Sequence, residues 1–275
     1  ACPLNVMGAC RSALTWAAMI GIIALMLPTM ALVRLFDRSP IHYRTGRTFR
    51  VMGAWRTRVN PAWRIQSSGE RSTDLQHPYV VVSNHQSNAD VPLVSRLPWE
   101  MKWIGKKELF DLPIVGWLMK LSDDIEVDRK DPRSRASVLI RAKDVLDQRC
   151  SVMFFPEGTR SKDGRVKTFY DGAFRLAIKA QVPILPVALD GTTDALPKHD
   201  WKFGKPSQVY LKVLPAIPTA GLTKDDVAEL RDRVRTMIVE QIAAWRGEPV
   251  DAICAPPKDT LPEGGMVEEV AKTGA

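Results

Sequence analysis

An α/β domain on a mostly parallel or mixed central sheet flanked by helices is the architecture this sequence predicts, with an N-terminal membrane-embedded helix or helical hairpin in front of it. Three observations predict it. Residues 12–33 carry no charge. Short apolar, β-branched runs alternate with helix-patterned segments between residues 79 and 246. Polar side chains capable of chemistry follow at once after two of those runs, and loops at the carboxyl ends of strands are where α/β folds collect chemistry.

Residues 12–33 are the first element. As a helix these 22 residues would reach about 33 Å, enough to cross a hydrocarbon core. Pro28 predicts a bend, or a break into two short helices dipping into one leaflet. A signal peptide and a buried core helix compete with the anchor. The run is long for a signal peptide, and no small-x-small cleavage site follows it. Residues 34–64 then hold eight arginines, no lysine and one acid, Asp37. By the positive-inside rule the downstream chain lies at the cytoplasmic face, of the inner membrane if the chain is bacterial. The arginines also suit anionic lipid headgroups, and Trp55 and Trp63 suit an interfacial segment; a solvated basic linker is the plainer reading. The expected organisation is an anchor and basic segment over 1–64, an α/β domain over 65–246 and a disordered tail rich in proline, glycine and charge over 247–275.

The formal net charge is +8. The last 29 residues hold six acids and two lysines, so residues 1–246 carry a net charge of +12. Such a surface suits phosphate-bearing partners. No nucleic-acid reading motif accompanies the charge, so nucleic acid is not an expected partner. His42, His77, His85 and His199 form no recognisable ligand set, and no metal or other cofactor is expected. Cys2, Cys10, Cys150 and Cys254 show no CxxC spacing and no framework of pairs, which favours a reducing compartment.

Within the domain, strands are expected at 79–83, 101–105, 125–127, 151–155, 184–189 and 208–214. Helices are expected at 90–97, 112–121, 135–149, 172–180 and 223–245, the last opened by a capping box of Thr223 and Asp226.

Two loops carry the candidate chemistry. Strand 79–83 runs into Asn84-His85-Gln86-Ser87-Asn88-Ala89-Asp90. Five residues on one ideal helix would set His85 and Asp90 about 140° apart. They can meet if His85 lies on the loop and Asp90 in the first turn of the next helix. The alternative is that Asp90 only caps that helix. Spacing leaves both readings open. Strand 151–155 runs into Pro156-Glu157-Gly158-Thr159-Arg160-Ser161. Gly158 lets this loop turn tightly, and Arg160 offers a planar fork for a phosphate monoester. Lys162, Arg165 and Lys167 add positive field. A surface turn with an internal Glu157–Arg160 pair is the plainer reading.

Asn84-His85-x4-Asp90 after an apolar strand resembles the first motif of the glycerolipid acyltransferases. Phe155-Pro156-Glu157-Gly158-Thr159-Arg160 is similar to their third, and far more specific. Lys106-Lys107-Glu108-Leu109, Leu112-Pro113-x-x-Gly116-Trp117 and Ile125-x-Val127-Asp128-Arg129 resemble the second region. Asp171-Gly172-Ala173-Phe174 also fits, and Val182-Pro183-Ile184-Leu185-Pro186 resembles the fourth. The four blocks fall in order over residues 79–190. Asp123 or Asp124 stands where the family often has glycine, and Glu126 where it usually has an apolar residue.

The resemblance implies transfer of a fatty acyl group from acyl-CoA or acyl carrier protein to a lysophospholipid hydroxyl at a membrane, with lysophosphatidate giving phosphatidate. His85 would be the general base and Asp90 its orienting carboxylate. Arg160, Arg129, Lys106, Glu157 and Gly158 would hold the acceptor's phosphate. Asn84, Pro156, Gly158 and Pro183 would lie around the thioester and its oxyanion. Leu93, Trp103, Ile114, Trp117 and Leu118 are candidates for an acyl groove, although core packing is the commoner role of such residues. Another lysolipid acceptor would use the same chemistry. A hydrolase would need a protein nucleophile, and no Gly-x-Ser-x-Gly elbow occurs. A non-catalytic lipid-surface protein would need only the anchor and the basic segment.

Overall fold

The computed structural model describes residues 3–59, 63–70, 73–195 and 206–255. The chain opens with helix α1 (Pro3–Phe36) and helix α2 (Tyr43–Trp55). Strands β1 (Trp63–Gly69) and β2 (Val80–Ser83) lead to the short helix α3 (Asp90–Val94) and strand β3 (Met101–Lys106). Helices α4 (Lys107–Phe110) and α5 (Val115–Leu121) precede β4 (Ile125–Val127), α6 (Pro132–Asp147), β5 (Ser151–Phe154) and α7 (Gly172–Ala180). Strand β6 (Ile184–Asp190), helix α8 (Thr192–Ala195), strand β7 (Ser207–Val213) and helices α9 (Val227–Arg246) and α10 (Val250–Ile253) complete it.

Seven strands form one sheet in the order β1-β7-β6-β2-β5-β3-β4, parallel except for the β6–β7 pair. Val80, Val82, Val152 and Phe154 pack on one face with Phe174, Ala177, Val234 and Ile238. Val81, Met153, Leu185 and Val187 pack on the other with Leu93, Trp99 and Trp103. Burial on both faces is why β2 and β5 read as unbroken apolar runs. The Thr223–Asp226 capping box is present and opens a 3₁₀ turn that runs into α9.

α1 is one continuous helix through Pro28, so the expected break into a hairpin at that proline does not occur. The helix is apolar and long enough to cross a membrane, consistent with membrane association. One stripe is not free, however. Met26 and Met30 pack with Met52 and Leu118, and Met19 joins the cluster under the sheet.

Three further expectations are corrected. The basic segment is not a linker: α2 occupies most of it, with Arg50 buried. Trp63 is buried in β1 rather than interfacial, whereas Trp55 is exposed. The tail does not begin at Gly247. Val250–Ile253 is helical, Ile253 is buried, and Cys254 bridges to Val166. The remainder of the tail, 256–275, and His199 lie outside the described residues.

Candidate active site

The parallel strands bring the carboxyl ends of β2, β5, β3 and β4 to one edge. His85 follows β2, the Pro156–Arg160 loop follows β5, Lys106 ends β3 and Arg129 lies just beyond β4. Neighbouring strands stand about 4.8 Å apart, so β2 to β4 is about 14 Å across.

His85 lies on the loop and Asp90 is the first residue of α3. That arrangement lets them meet: Nδ1 of His85 is 2.8 Å from Oδ2 of Asp90. The same Oδ2 accepts the backbone N–H groups of Gln86 (2.7 Å) and Ser87 (2.9 Å). Asp90 is fully buried, while 17% of the His85 side chain is exposed. With Nδ1 facing the carboxylate, Nε2 is left to act, and it has no partner among the described residues. The imidazole lies flat on Phe155, with centroids 4.0 Å apart and planes inclined by 15°. Trp103 packs against the same ring at 5.7 Å.

The two loops are tied together by backbone. Ser161 N–H donates to the His85 carbonyl at 2.7 Å. Glu157 Oε1 accepts from His85 N–H at 2.7 Å, and its Oε2 accepts from Lys167 N–H at 3.2 Å. Burial pushes the Glu157 carboxyl up to about 7, against the pull of those two amides. Glu157 is therefore a buried brace between loops, not a ligand for an acceptor's phosphate. Lys167 Nζ fastens the same loop through the Thr159 and Arg160 carbonyls.

Arg160 stands beside Ser161, the residue bonded to His85, and its guanidinium has no partner among the described residues. Arg129 donates to the Gly158 carbonyl, which joins the β4 loop to the β5 loop. Gly158 has φ +69°, and a Cβ there would meet the Tyr170 ring at 2.9 Å. Lys106 is exposed on the same edge. Arg160, Arg129, Lys106 and Gly158 thus lie on the same carboxyl edge of the sheet as the histidine.

The expected oxyanion set fares less well. Asn84 is fully buried, and its amide exchanges two hydrogen bonds with the Leu189 backbone, pinning β2 to β6. Pro183 precedes Ile184, which pairs in parallel with Val80, so it lies at the opposite edge from His85. Gly158 N–H is used in a turn with the Phe155 carbonyl. Pro156 has no N–H and is buried. Of the acyl-groove candidates, Leu93, Trp103 and Leu118 are core residues. Ile114 and Trp117 are exposed, with Leu109 and Leu112 beside them. Gly116 lets this segment fold tightly, since a Cβ there would lie 2.1 Å from the Phe110 carbonyl oxygen.

Sequence reasoning missed one group. Gln86 Nε2 donates to the Gly164 carbonyl (3.3 Å) and to Asp190 Oδ1 (3.4 Å). Arg246 grips the same Asp190 oxygen at 2.6 Å and the same Gly164 carbonyl at 3.1 Å. The last residues of β6 and α9 thereby clasp both active loops. A lone acid ending an otherwise apolar run was the available signal for Asp190.

Asp123 and Asp124, one of which stands where the resemblance leads one to expect glycine, have a structural use. Asp123 binds Arg34 of α1 (3.3 Å) and His42 (2.5 Å). Asp124 pairs with the buried Arg50 of α2 and accepts from Trp103 N–H. The aspartates hook the first two helices to the domain. Glu126 points outward from the edge strand β4.

Fold and pair together define an α/β domain with a histidine–aspartate pair at the carboxyl edge of its sheet. Residues 64–190 match the family model described as Acyltransferase. Over 174 residues the chain is 40% identical to human 1-acyl-sn-glycerol-3-phosphate acyltransferase alpha, spanning 62% of this chain and 61% of that protein. Over 192 residues it is 36% identical to a chloroplastic 1-acyl-sn-glycerol-3-phosphate acyltransferase of Brassica napus, spanning 69% of this chain and 55% of that protein. The chain thus spans less than two thirds of the length of either relative. The crystal structure of the 1-acyl-sn-glycerophosphate acyltransferase from Thermotoga maritima matches with a TM-score of 0.74 at 23% identity, covers 89% of this chain and 98% of that one, and has the same fold. Residues 64–190 are thus similar to the acyltransferase family, and the relatives that match them at 36–40% identity are 1-acyl-sn-glycerol-3-phosphate acyltransferases.

Proposed function

We propose that the chain transfers a fatty acyl group from a thioester, acyl-CoA or acyl carrier protein, to the sn-2 hydroxyl of lysophosphatidate, giving phosphatidate at the cytoplasmic face of a membrane. The observation that carries this reading is the His85–Asp90 pair, with Nε2 unoccupied beside the loop of Arg160. An alcohol is a weak nucleophile at neutral pH. His85 Nε2 takes the hydroxyl proton as the oxygen attacks the thioester carbonyl. Asp90 holds the proton on Nδ1 and stabilises the imidazolium as it forms. The tetrahedral intermediate expels the thiolate, which takes the proton back from Nε2. A thiolate leaves readily, so no acyl-enzyme is required. Arg160, supported by Arg129 and Lys106, grips the acceptor's phosphate and fixes the hydroxyl against the base.

The direct test is the purified chain with lysophosphatidate and each thioester donor, scored for phosphatidate. Formation with either donor, lost in His85→Ala while membrane association persists, supports the reading. Undiminished product in His85→Ala would remove the mechanism, and failure with lysophosphatidate but turnover of another lysolipid would change the acceptor.

A further inference from the structure

At the far end of α1 the structure holds a second basic site, remote from His85. A cavity of about 670 Å³ is lined by Leu35, Phe36, Arg38, Arg44 and Arg149, together with Asp37, Gln76 and Gln148. Gln148 and Arg149 precede β5, so the cavity lies towards the amino edge of the sheet. We propose that it binds the headgroup of an anionic glycerophospholipid drawn from the leaflet in which α1 sits.

Charge supplies the first argument. Arg38 and Arg44 are exposed and have no partner among the described residues. Arg149 pairs with Asp74 at 2.8 Å, but both side chains are half exposed or more. Such a pair is worth little and exchanges partners easily. The carboxylate in the lining, Asp37, is already engaged: it accepts from Ser39 N–H, Thr45 N–H and Thr45 Oγ1. Burial pushes this carboxyl up, but the hydrogen bonds outweigh it and hold the group below its ordinary range. Asp37 thus serves the first turn of α2, and three guanidinium groups face the cavity against Asp37 and Asp74.

Apolar surface supplies the second argument and selects a lipid over a soluble phosphate. Leu14, Leu25, Leu32 and Leu35 recur at spacings of 11, 7 and 3 residues, which is one stripe of a helix. All four are well exposed, as is Phe36. The stripe turns away from the domain, which α1 meets through Met26 and Met30. It ends at Leu35 and Phe36, on the rim of the arginine cavity. Acyl chains lying along it deliver their phosphodiester to Arg38 and Arg44. Guanidinium groups match phosphate oxygens in fork geometry. The acyl-transfer reading is not needed for this proposal, which depends only on α1 meeting a bilayer.

Native mass spectrometry of the full chain, exposed to mixed micelles of phosphatidylglycerol and phosphatidylcholine, tests it. One phosphatidylglycerol should be retained in at least tenfold preference. Arg38→Gln/Arg44→Gln should lose that preference at least tenfold. Arg141→Gln/Arg233→Gln removes the same charge from exposed positions elsewhere and should keep it. Equal loss in both doubles would make the effect diffuse surface charge and overturn the proposal. Retention of inorganic phosphate with no lipid preference would make the site a solute-anion site, and equal retention of both lipids would leave only the apolar stripe; either result overturns it too. A wild-type measurement guards against misfolded variants: amide exchange over 38–49 should slow with phosphatidylglycerol vesicles and not with phosphatidylcholine, and no difference would count equally against the site.

Discussion

Oδ2 of Asp90 accepts from His85 Nδ1 and from two consecutive backbone amides, those of Gln86 and Ser87. One oxygen therefore shapes the loop and orients the imidazole together. Asp90→Asn places an amide among three donors. If the amide oxygen keeps the loop contacts, Nδ1 loses its charged partner, and the tautomer with Nε2 free is no longer favoured. kcat should fall by about 10³–10⁴-fold, the scale seen when the orienting carboxylate of a triad is neutralised. KM for lysophosphatidate should change little. Steady-state kinetics on the folded variant decide the point, and a loss of less than about threefold would mean that Asp90 only caps α3.

Glu157 braces the two loops from inside, and its carboxyl is pushed up to about 7 against an ordinary 4.5. Between those values the folded protein holds a proton that the unfolded chain has released. Stability from this group is therefore present below about pH 4.5 and lost as pH rises through about 7. The difference amounts to about 3 kcal/mol. Glu157→Gln removes the titration, so wild type should lose about 3 kcal/mol relative to the variant from about pH 4.5 to 8. Urea unfolding across that range measures the difference, and parallel curves would contradict it. The variant should also turn over more slowly, because an amide offers one acceptor where two backbone N–H groups need one each.

Arg160 has no partner among the described residues, whereas Arg129 is bound to the Gly158 carbonyl. Arg160→Ala should therefore act on acceptor binding directly. A charged hydrogen bond contributes about 1.5–3 kcal/mol, so KM for lysophosphatidate should rise about 10–100-fold with a smaller change in kcat. A neutral acceptor such as monoacylglycerol should show no such rise. Equal effects on both acceptors would remove the phosphate role.

Both loops and six of the seven strands were legible because their signals are local. An apolar run ending in a polar turn marks β2 and β5, and the motifs sit where those runs stop. The missed strand, β1, is polar and half exposed at the sheet edge, with Trp63 its one buried residue. Helix α2 was hidden for another reason. Its buried side is Thr45, Gly46, Arg50, Met52 and Gly53, a face made largely of small residues and one guanidinium. Hydropathy cannot register such a face. Gly46 is required there, since a Cβ would lie 2.0 Å from Glu100 Oε1. Glu157 was placed in the right loop with the wrong role, because a motif gives a residue's neighbours and not the direction of its side chain. Asp190 and Arg246 lie 56 residues apart, beyond any local pattern.

The buried Arg50–Asp124 pair is the clearest consequence of that hidden helix. Both side chains are almost wholly excluded from solvent. Arg50→Met leaves Asp124 charged and uncompensated near Glu100, which burial already pushes up. The expected cost is about 3–5 kcal/mol. Arg50→Met/Asp124→Asn removes the stranded charge and should recover much of it, because the introduced amide oxygen can still accept from Trp103 N–H. Chemical denaturation of both variants measures the gap. If the double variant were no more stable than the single, the loss would come from packing rather than charge.

α1 meets the domain through Met19, Met26, Met30 and the Arg34–Asp123 pair. These contacts run over the 16 residues from Met19 to Arg34, about 22 Å of helix between the first and the last. A helix held to the domain over that length presents its other side to lipid. Leu14, Leu25, Leu32 and Leu35 form that side. Transfer of a leucine side chain from water to an apolar medium is worth about 1.5–3 kcal/mol. Replacing all four by serine should weaken vesicle binding by at least about 10³-fold, and leave the domain folded because none of the four packs in its core. Flotation with neutral vesicles measures the first effect and circular dichroism the second. Unchanged flotation would mean that the contacts to the domain open in the bilayer, and that α1 inserts with its methionine stripe exposed to lipid as well.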